Sequence, residues 1–198
     1  VTELVSKYDV DGIHIDDYFY PTTDSGFDQT AFQTFAAGKN LSDWRKSNVD
    51  ETVSGIYSAV KAVKPEVVFG VSPAGNIANN QGKLYADVQK WAYTPGYLDW
   101  LIPQIYWEYG HATAPYLSVL DQWNSMVTAE GVRLVPGLAN YKVGTNEEWS
   151  QEGILARQVG DARSRSAYGG FALYSYGSLF QNPTELMEKE KARLLELL

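Results

Sequence analysis

Asp11-Gly12-Ile13-His14-Ile15-Asp16-Asp17-Tyr18 reads as a short β-strand that ends abruptly in acids. The apolar run Val10 to Ile15 builds the strand, and the charge at Asp16 and Asp17 stops it. Side chains alternate along a strand, so His14 and Asp16 share one face while Ile13 and Ile15 take the other. Asp17 falls where the strand ends and can turn toward the same space as Asp16. Two neighbouring carboxyls crowd each other's charge, so one of them holds its proton to a higher pH, as a general acid requires. The structural alternative is that Asp17 turns the loop and Asp16 pairs with a buried Arg.

Further apolar runs follow at Val67 to Val71, Leu98 to Tyr106, Arg133 to Leu138 and Phe171 to Tyr174. Between them lie stretches of helical period. Val49, Val53, Ile56, Tyr57, Val60 and Val63 form an apolar stripe that Pro65 terminates. Leu117, Leu120, Trp123, Met126 and Val127 form a second stripe ending near Gly131, and Ile154, Leu155, Val159 and Ala162 a third. A charged last helix begins after Asn182-Pro183-Thr184. Strands alternating with helices predict a parallel sheet covered on both faces.

Polar and aromatic residues gather just past the end of each strand: Asp16-Asp17-Tyr18, Ser72-Pro73, Tyr106-Trp107, Asn140-Tyr141 and Tyr174-Ser175-Tyr176. A (β/α)8 barrel collects all such ends around one rim, whereas an open sheet concentrates them at one crevice. The expected fold is therefore α/β, the C-terminal portion of a (β/α)8 TIM barrel with about five β/α units. A full barrel takes about 250 residues, so residues 1–198 are expected to be one partial domain with its N-terminal units missing. A complete five-stranded open sheet is the alternative. Tyr18 to Trp44 is the one long connection, and loops of that length are usually functional.

In Pro103-Gln104-Ile105-Tyr106-Trp107, Gln104 and Tyr106 alternate inward around Ile105. An amide and a phenol at a strand end can hold ring hydroxyls or an N-acetyl group, and Trp107 can floor a sugar subsite. The bland reading is a Tyr and Trp packed in the core, but a buried inward Gln still has to be hydrogen-bonded. The 14 Tyr and 6 Trp suit stacking on sugars as well as core filling. Arg45, beside Trp44 at the start of the first long helix, is expected to anchor the Tyr18 to Trp44 loop through a bidentate carboxylate pair.

Other classes of function find little support. The net charge of −8, with no Lys/Arg cluster to offset it, repels a phosphate backbone, so no nucleic-acid partner is expected. No apolar run approaches the roughly 20 residues of a transmembrane helix. The chain has no Cys and only His14 and His111, without ligand spacing, so no metal site is expected. A phosphate loop, a dinucleotide fingerprint and a Gly-Xaa-Ser-Xaa-Gly elbow are all missing, and no cofactor is expected.

At these residues the sequence resembles the bacterial glycoside-hydrolase-like family ten, envelope proteins with a barrel domain and proposed action on glycan strands. The matching pieces are Asp11 to Tyr20 with Pro21, Trp44-Arg45 with Asn48-Val49, Phe69 to Pro73 with Gly75, Asp99 with Pro103 to Trp107, and Gly170-Phe171 with Tyr174-Ser175-Tyr176. They run in family order over almost the whole chain. The resemblance implies barrel strands four to eight, a polysaccharide or oligosaccharide substrate, and a location in the cell envelope or outside the cell.

Chitinase-type barrels are more distantly similar, and where they place an acid Glu this chain has Tyr18. Asp17 then takes the acid's role beside Asp16, with Glu108 in reserve. The sugar contacts implied are His14, Tyr18, Gln104, Tyr106, Trp107, Asn140, Tyr141 and Tyr174. The family usually carries a larger residue at Ala74, which implies a more open subsite here. The expected reaction is hydrolysis of a glycosidic bond in a bacterial polysaccharide, a hexosamine-containing one such as peptidoglycan glycan. The competing readings are a glycan-binding or scaffolding barrel with a degenerate site, and a sugar lyase or transferase on the same fold.

Overall fold

The structure is a computed structural model that describes residues 1–16, 19–181 and 183–198. Asp17 and Tyr18 lie outside the described residues. The chain divides into two units, Val1–Leu101 with Thr128–Val132, and Ile102–Val127 with Arg133–Leu198.

The first unit runs α1 (Thr2–Lys7), β1 (Gly12–Asp16), α2 (Gln29–Phe35), α3 (Leu41–Val63), β2 (Val68–Ser72), α4 (Ile77–Asn79), α5 (Val88–Tyr93) and β3 (Trp100–Leu101). The strands β1 and β2 pair in parallel, from Gly12 opposite Val68 to Asp16 opposite Ser72, and β2 pairs in parallel with β3 through Gly70 and Trp100. A Cβ added at Gly12 would stand 3.1 Å from the Val68 carbonyl oxygen, a tight contact that the missing side chain avoids. Asn40 caps α3 by accepting the Asp43 N–H, and the helix stops at Val63, two residues before Pro65.

One face of α3 buries Val49, Val53 and Val60. Val60 packs with Val5 of α1 and Val67, and Val10, Ile13, Ile56 and Val63 close around them. Each fully buried side chain of this size contributes about 1.5–3 kcal/mol. Because Ile13 enters this cluster, His14 and Asp16 must occupy the opposite face of β1, as the alternation predicts. In β2, Phe69 and Val71 on one face and Gly70 and Ser72 on the other are all buried, as expected of a strand covered on both sides. Asp50 of α3 ties α5 in place, accepting from the Trp91 indole and the Lys90 ammonium, each at 2.7 Å.

The second unit contains α6 (Tyr116–Met126), β4 (Arg133–Leu134), β5 (Gly137–Leu138), α7 (Ile154–Arg163), β6 (Ala172–Leu173) and α8 (Glu185–Glu196). The strands β5 and β6 pair in parallel, and Gln104 bridges Gly137 in the same sense. Trp123, Leu134, Leu138, Trp149, Leu155 and Ile105 are fully buried here.

Two of the predicted strands are interrupted within their runs, both at proline. The run Arg133 to Leu138 splits at Val135-Pro136, since Pro136 has no N–H to donate, although its carbonyl still accepts from Ala172 at 3.0 Å. The run Leu98 to Tyr106 is a regular strand only at Trp100–Leu101 and bridges again at Gln104, after Pro103. There the Ile105 N–H donates to Gly137 and the Gly137 N–H donates to Pro103. The Tyr18 to Trp44 connection is not a bare loop, because it contains α2. The short helices α1, α2 and α5 repeat no apolar period long enough to be read from sequence.

Candidate functional site

In the first unit, β1 ends at Asp16 beside Ser72, the last residue of β2. His14 and Asp16 are exposed, whereas Ile13 and Ile15 are half-buried. Asp17 and Tyr18, the second acid and the residue at the chitinase Glu position, are outside the described residues. The chain that follows is held by the expected Arg45 anchor. The Arg45 guanidinium, with a fully buried side chain, donates from Nε to Asp28 Oδ2 at 3.0 Å and from Nη2 to Asp28 Oδ1 at 2.6 Å. It also donates to the Asp24 carbonyl, to the Thr22 carbonyl and to the Tyr85 hydroxyl.

The rings of Tyr20 and Tyr85 lie 5.1 and 5.0 Å from the guanidinium carbon. The hydrogen bonds from Arg45 hold the Asp28 carboxyl below the usual carboxylate range, against the opposing effect of burial. Burial raises the Tyr20 hydroxyl, which accepts from Asn48 at 3.1 Å.

The loop leaving β2 is fixed by Asn80, which sequence reading missed. Its amide is fully buried and donates to the Ala74 carbonyl at 2.6 Å and to the Asn76 carbonyl at 3.2 Å. Its Oδ1 has no hydrogen-bond partner among the described residues.

In the second unit, three predicted aromatic residues meet. Tyr106 and Tyr174 stack with centroids 5.9 Å apart and planes at 24°, and Tyr141 stands edge-on to both, at 6.0 and 5.9 Å. Tyr141 and Tyr174 are exposed. Asn140 is buried beneath them, and its Nδ2 donates to the Ser175 carbonyl at 2.9 Å. It therefore sets the position of the chain that carries Tyr174, while its buried Oδ1 has no partner among the described residues. Gln104 is half-buried at its bridge to Gly137. Lys142 donates to the Tyr106 carbonyl at 2.7 Å.

The segment after Tyr106 is held residue by residue from the region 148–161. Gln158 donates to the Trp107 carbonyl at 3.0 Å, and the Trp149 indole donates to Glu108 Oε2 at 2.9 Å. Glu148 accepts the N–H of Tyr109 at 2.7 Å, and Asp161 accepts the Tyr109 hydroxyl at 2.7 Å. The half-buried Trp107 ring lies 6.1 Å from that of His111. Burial raises the Glu108 carboxyl, but its own backbone amide, the Trp149 indole and the charges of His111 and Lys142 outweigh this, and the net direction is downward. That direction favours the ionised form, the opposite of the shift that suits a general acid. Gln158 and Lys142 carried no signal in the sequence, because a helix-borne Gln and a loop Lys look like ordinary surface residues.

Among the described residues there is no group of His, Cys, Asp and Glu that could hold a metal ion, and no helix is long and apolar enough to cross a membrane.

A solved structure, that of the PgaB (BpsB) glycoside hydrolase domain from Bordetella bronchiseptica, superposes with a TM-score of 0.58 at 13% identity, covering 98% of this chain and 57% of that one. At that identity the likeness is one of fold, an α/β architecture with a parallel sheet. Glycosyl hydrolase YngK of Bacillus subtilis is 35% identical over 205 residues, covering 92% of this chain and 40% of that protein. Glycosyl hydrolase DigH of Escherichia coli K12 is 35% identical over 161 residues, covering 73% of this chain and 36% of that protein. The chain thus spans about two-fifths of the length of these relatives. Residues 1–152 match the family described as Glycosyl hydrolase-like 10, and the chain belongs to that family.

Proposed function

We propose that the protein hydrolyses glycosidic bonds in a bacterial polysaccharide, a hexosamine-containing one such as the glycan strands of peptidoglycan, in the cell envelope or outside the cell. The observation that carries this reading is a parallel strand that ends at Asp16, the residue that Asp17 follows in the sequence, in a chain of a glycosyl hydrolase-like family. The parallel units are assigned to strands four to eight of a (β/α)8 barrel.

In this reading Asp17 protonates the leaving oxygen, and Asp16 attacks the sugar carbon or orients a substrate acetamido group for internal attack. His14 and Tyr18 flank the acids. Gln104, Tyr106, Trp107, Tyr141 and Tyr174 supply sugar contacts, and Asn140 acts by holding the Tyr174–Ser175 segment.

A glycan-binding protein with a degenerate site is the second reading, favoured by the exposed tyrosines, which suffice for stacking without any acid. Release of new reducing ends from purified glycan strands tests both. Wild-type release that is lost in Asp16→Asn and in Asp17→Asn supports hydrolysis. Binding without any release moves the protein to the second reading.

A further inference from the structure

Past the tyrosine cluster, the chain makes a wide helical turn over Gly177–Gln181. Leu179 is buried there, whereas Tyr176 and Phe180, four residues apart and so on one side of the turn, are 67% and 53% exposed. Their rings lie 4.9 Å apart at 41°, and the Lys191 ammonium stands 5.4 Å from the Phe180 centroid. Lys191 is itself held by Glu188 at 2.8 Å. Phe180 is thus braced between Lys191 and Tyr176, and Tyr176 is the more open ring.

We propose that Tyr176, backed by Phe180, is an outer sugar platform that takes the next residue of a glycan chain seated on Tyr174. This rests on the proposed glycan-acting function and extends it to a preference for long chains. The Cα atoms of Tyr174 and Tyr176 can be no more than about 7 Å apart, a spacing that lets both rings serve one chain. The turn is fixed relative to the tyrosine cluster, because Asn140 grips the Ser175 carbonyl between those two residues.

A rigid, exposed aromatic ring offers a flat apolar face at low entropic cost, which suits the C–H face of a pyranose. A protein partner or a second copy fits less well. Two rings at this exposure offer roughly 200–300 Å², against the ~800 Å² per partner of a stable protein interface. The neighbouring side chains Lys191 and Glu188 are charged and already paired.

The test uses thio-linked N-acetylglucosamine oligosaccharides, which resist hydrolysis, as a disaccharide and a hexasaccharide, titrated into the protein and its variants. Tyr176→Ala should weaken the hexasaccharide by about tenfold, the scale of one aromatic contact, and leave the disaccharide unchanged. Tyr176→Phe, which keeps the ring, should bind like wild type. Tyr174→Ala should weaken both lengths. Unchanged hexasaccharide binding in Tyr176→Ala overturns the platform, as does an equal loss for both lengths.

If Tyr176→Ala loses only the long ligand while Tyr174→Ala loses nothing, Tyr176 still contacts glycan, but its place next to a chain seated on Tyr174 is overturned. A wild-type protein that binds neither length overturns both. Sedimentation that shows a dimer dissociated by Tyr176→Ala also overturns the platform, in favour of a second copy as occupant. Unaltered thermal melting of each variant shows that the losses are local.

Discussion

The carboxylate of Glu190 in α8 accepts the backbone N–H of Leu155 at 3.0 Å, and its other oxygen accepts that of Gly153. An acid from one helix thereby caps the start of another, α7, where the unpaired N–H groups and the positive end of the helix dipole lie. Glu190 is fully buried. The consequence reaches the site, because α7 carries Gln158 and Asp161, which hold Trp107 and Tyr109.

Glu190→Ala leaves two N–H groups without an acceptor and should destabilise the protein by about 2–4 kcal/mol. Glu190→Gln, which keeps an acceptor and loses the charge, should cost less. Denaturant unfolding gives the order, and the Leu155 amide should lose hydrogen-exchange protection in the alanine variant. Equal stability of all three proteins would remove the cap from the account.

The Arg45–Asp28 pair yields a mutational and a pH prediction. Arg45→Lys keeps the charge but cannot reproduce the planar fork, and should destabilise by about 2–4 kcal/mol. Because the Asp28 carboxyl is lowered in the folded protein, its contribution is fully present above the ordinary aspartate range, near pH 4. It is lost as pH falls through the lowered folded value. Asp28→Asn should therefore be less stable than wild type at neutral pH and lose less on acidification, so that the two curves converge in acid. Parallel stability curves from neutral to acid pH would show that the pair is not the source.

Much of this organisation was readable from particular residues. Ile13 and Ile15 set the face of His14 and Asp16, Pro65 bounded α3, and Arg45 beside Trp44 pointed to the loop anchor. The proline interruptions at Pro103 and Pro136 were visible as letters, but their effect depends on which neighbouring strand needs the missing N–H. Asn80, Gln158 and Glu190 were illegible for a different reason. Gln158 and Glu190 reach partners far along the chain, Trp107 and Gly153, which only folding brings close, and the turn that returns Asn80 to Ala74 has no period to read.

Asn140 offers a test of positioning as distinct from contact. Its side chain is buried and grips the Ser175 carbonyl. Asn140→Ala should cost about 1–3 kcal/mol of stability and raise the glycan Kd, with the hydrogen-exchange protection of residues 174–176 reduced. Weakened binding with unchanged protection there would mean that the amide acts on the sugar directly.

Glu108 decides whether the acid assignment at β1 is complete. It follows Tyr106 and Trp107, just past the bridge at Gln104, and the net of burial, hydrogen bonding and neighbouring charge lowers its carboxyl. A general acid must be protonated at working pH, so its titration produces the basic limb of the pH–rate profile, where activity falls as pH rises. A carboxyl shifted downward moves that limb away from neutrality rather than toward it. Glu108→Gln should therefore keep the basic limb, with a moderate loss of rate if the Trp149 contact slackens. Asp17→Asn should lose the basic limb and about 10²- to 10⁴-fold in rate, and a substrate with an activated leaving group should recover part of that loss because it needs little protonation. The measurement is kcat/KM against pH for wild type and both variants on natural and activated glycosides. If the basic limb disappears in Glu108→Gln and survives in Asp17→Asn, Glu108 is the proton donor and the acids of β1 serve another purpose.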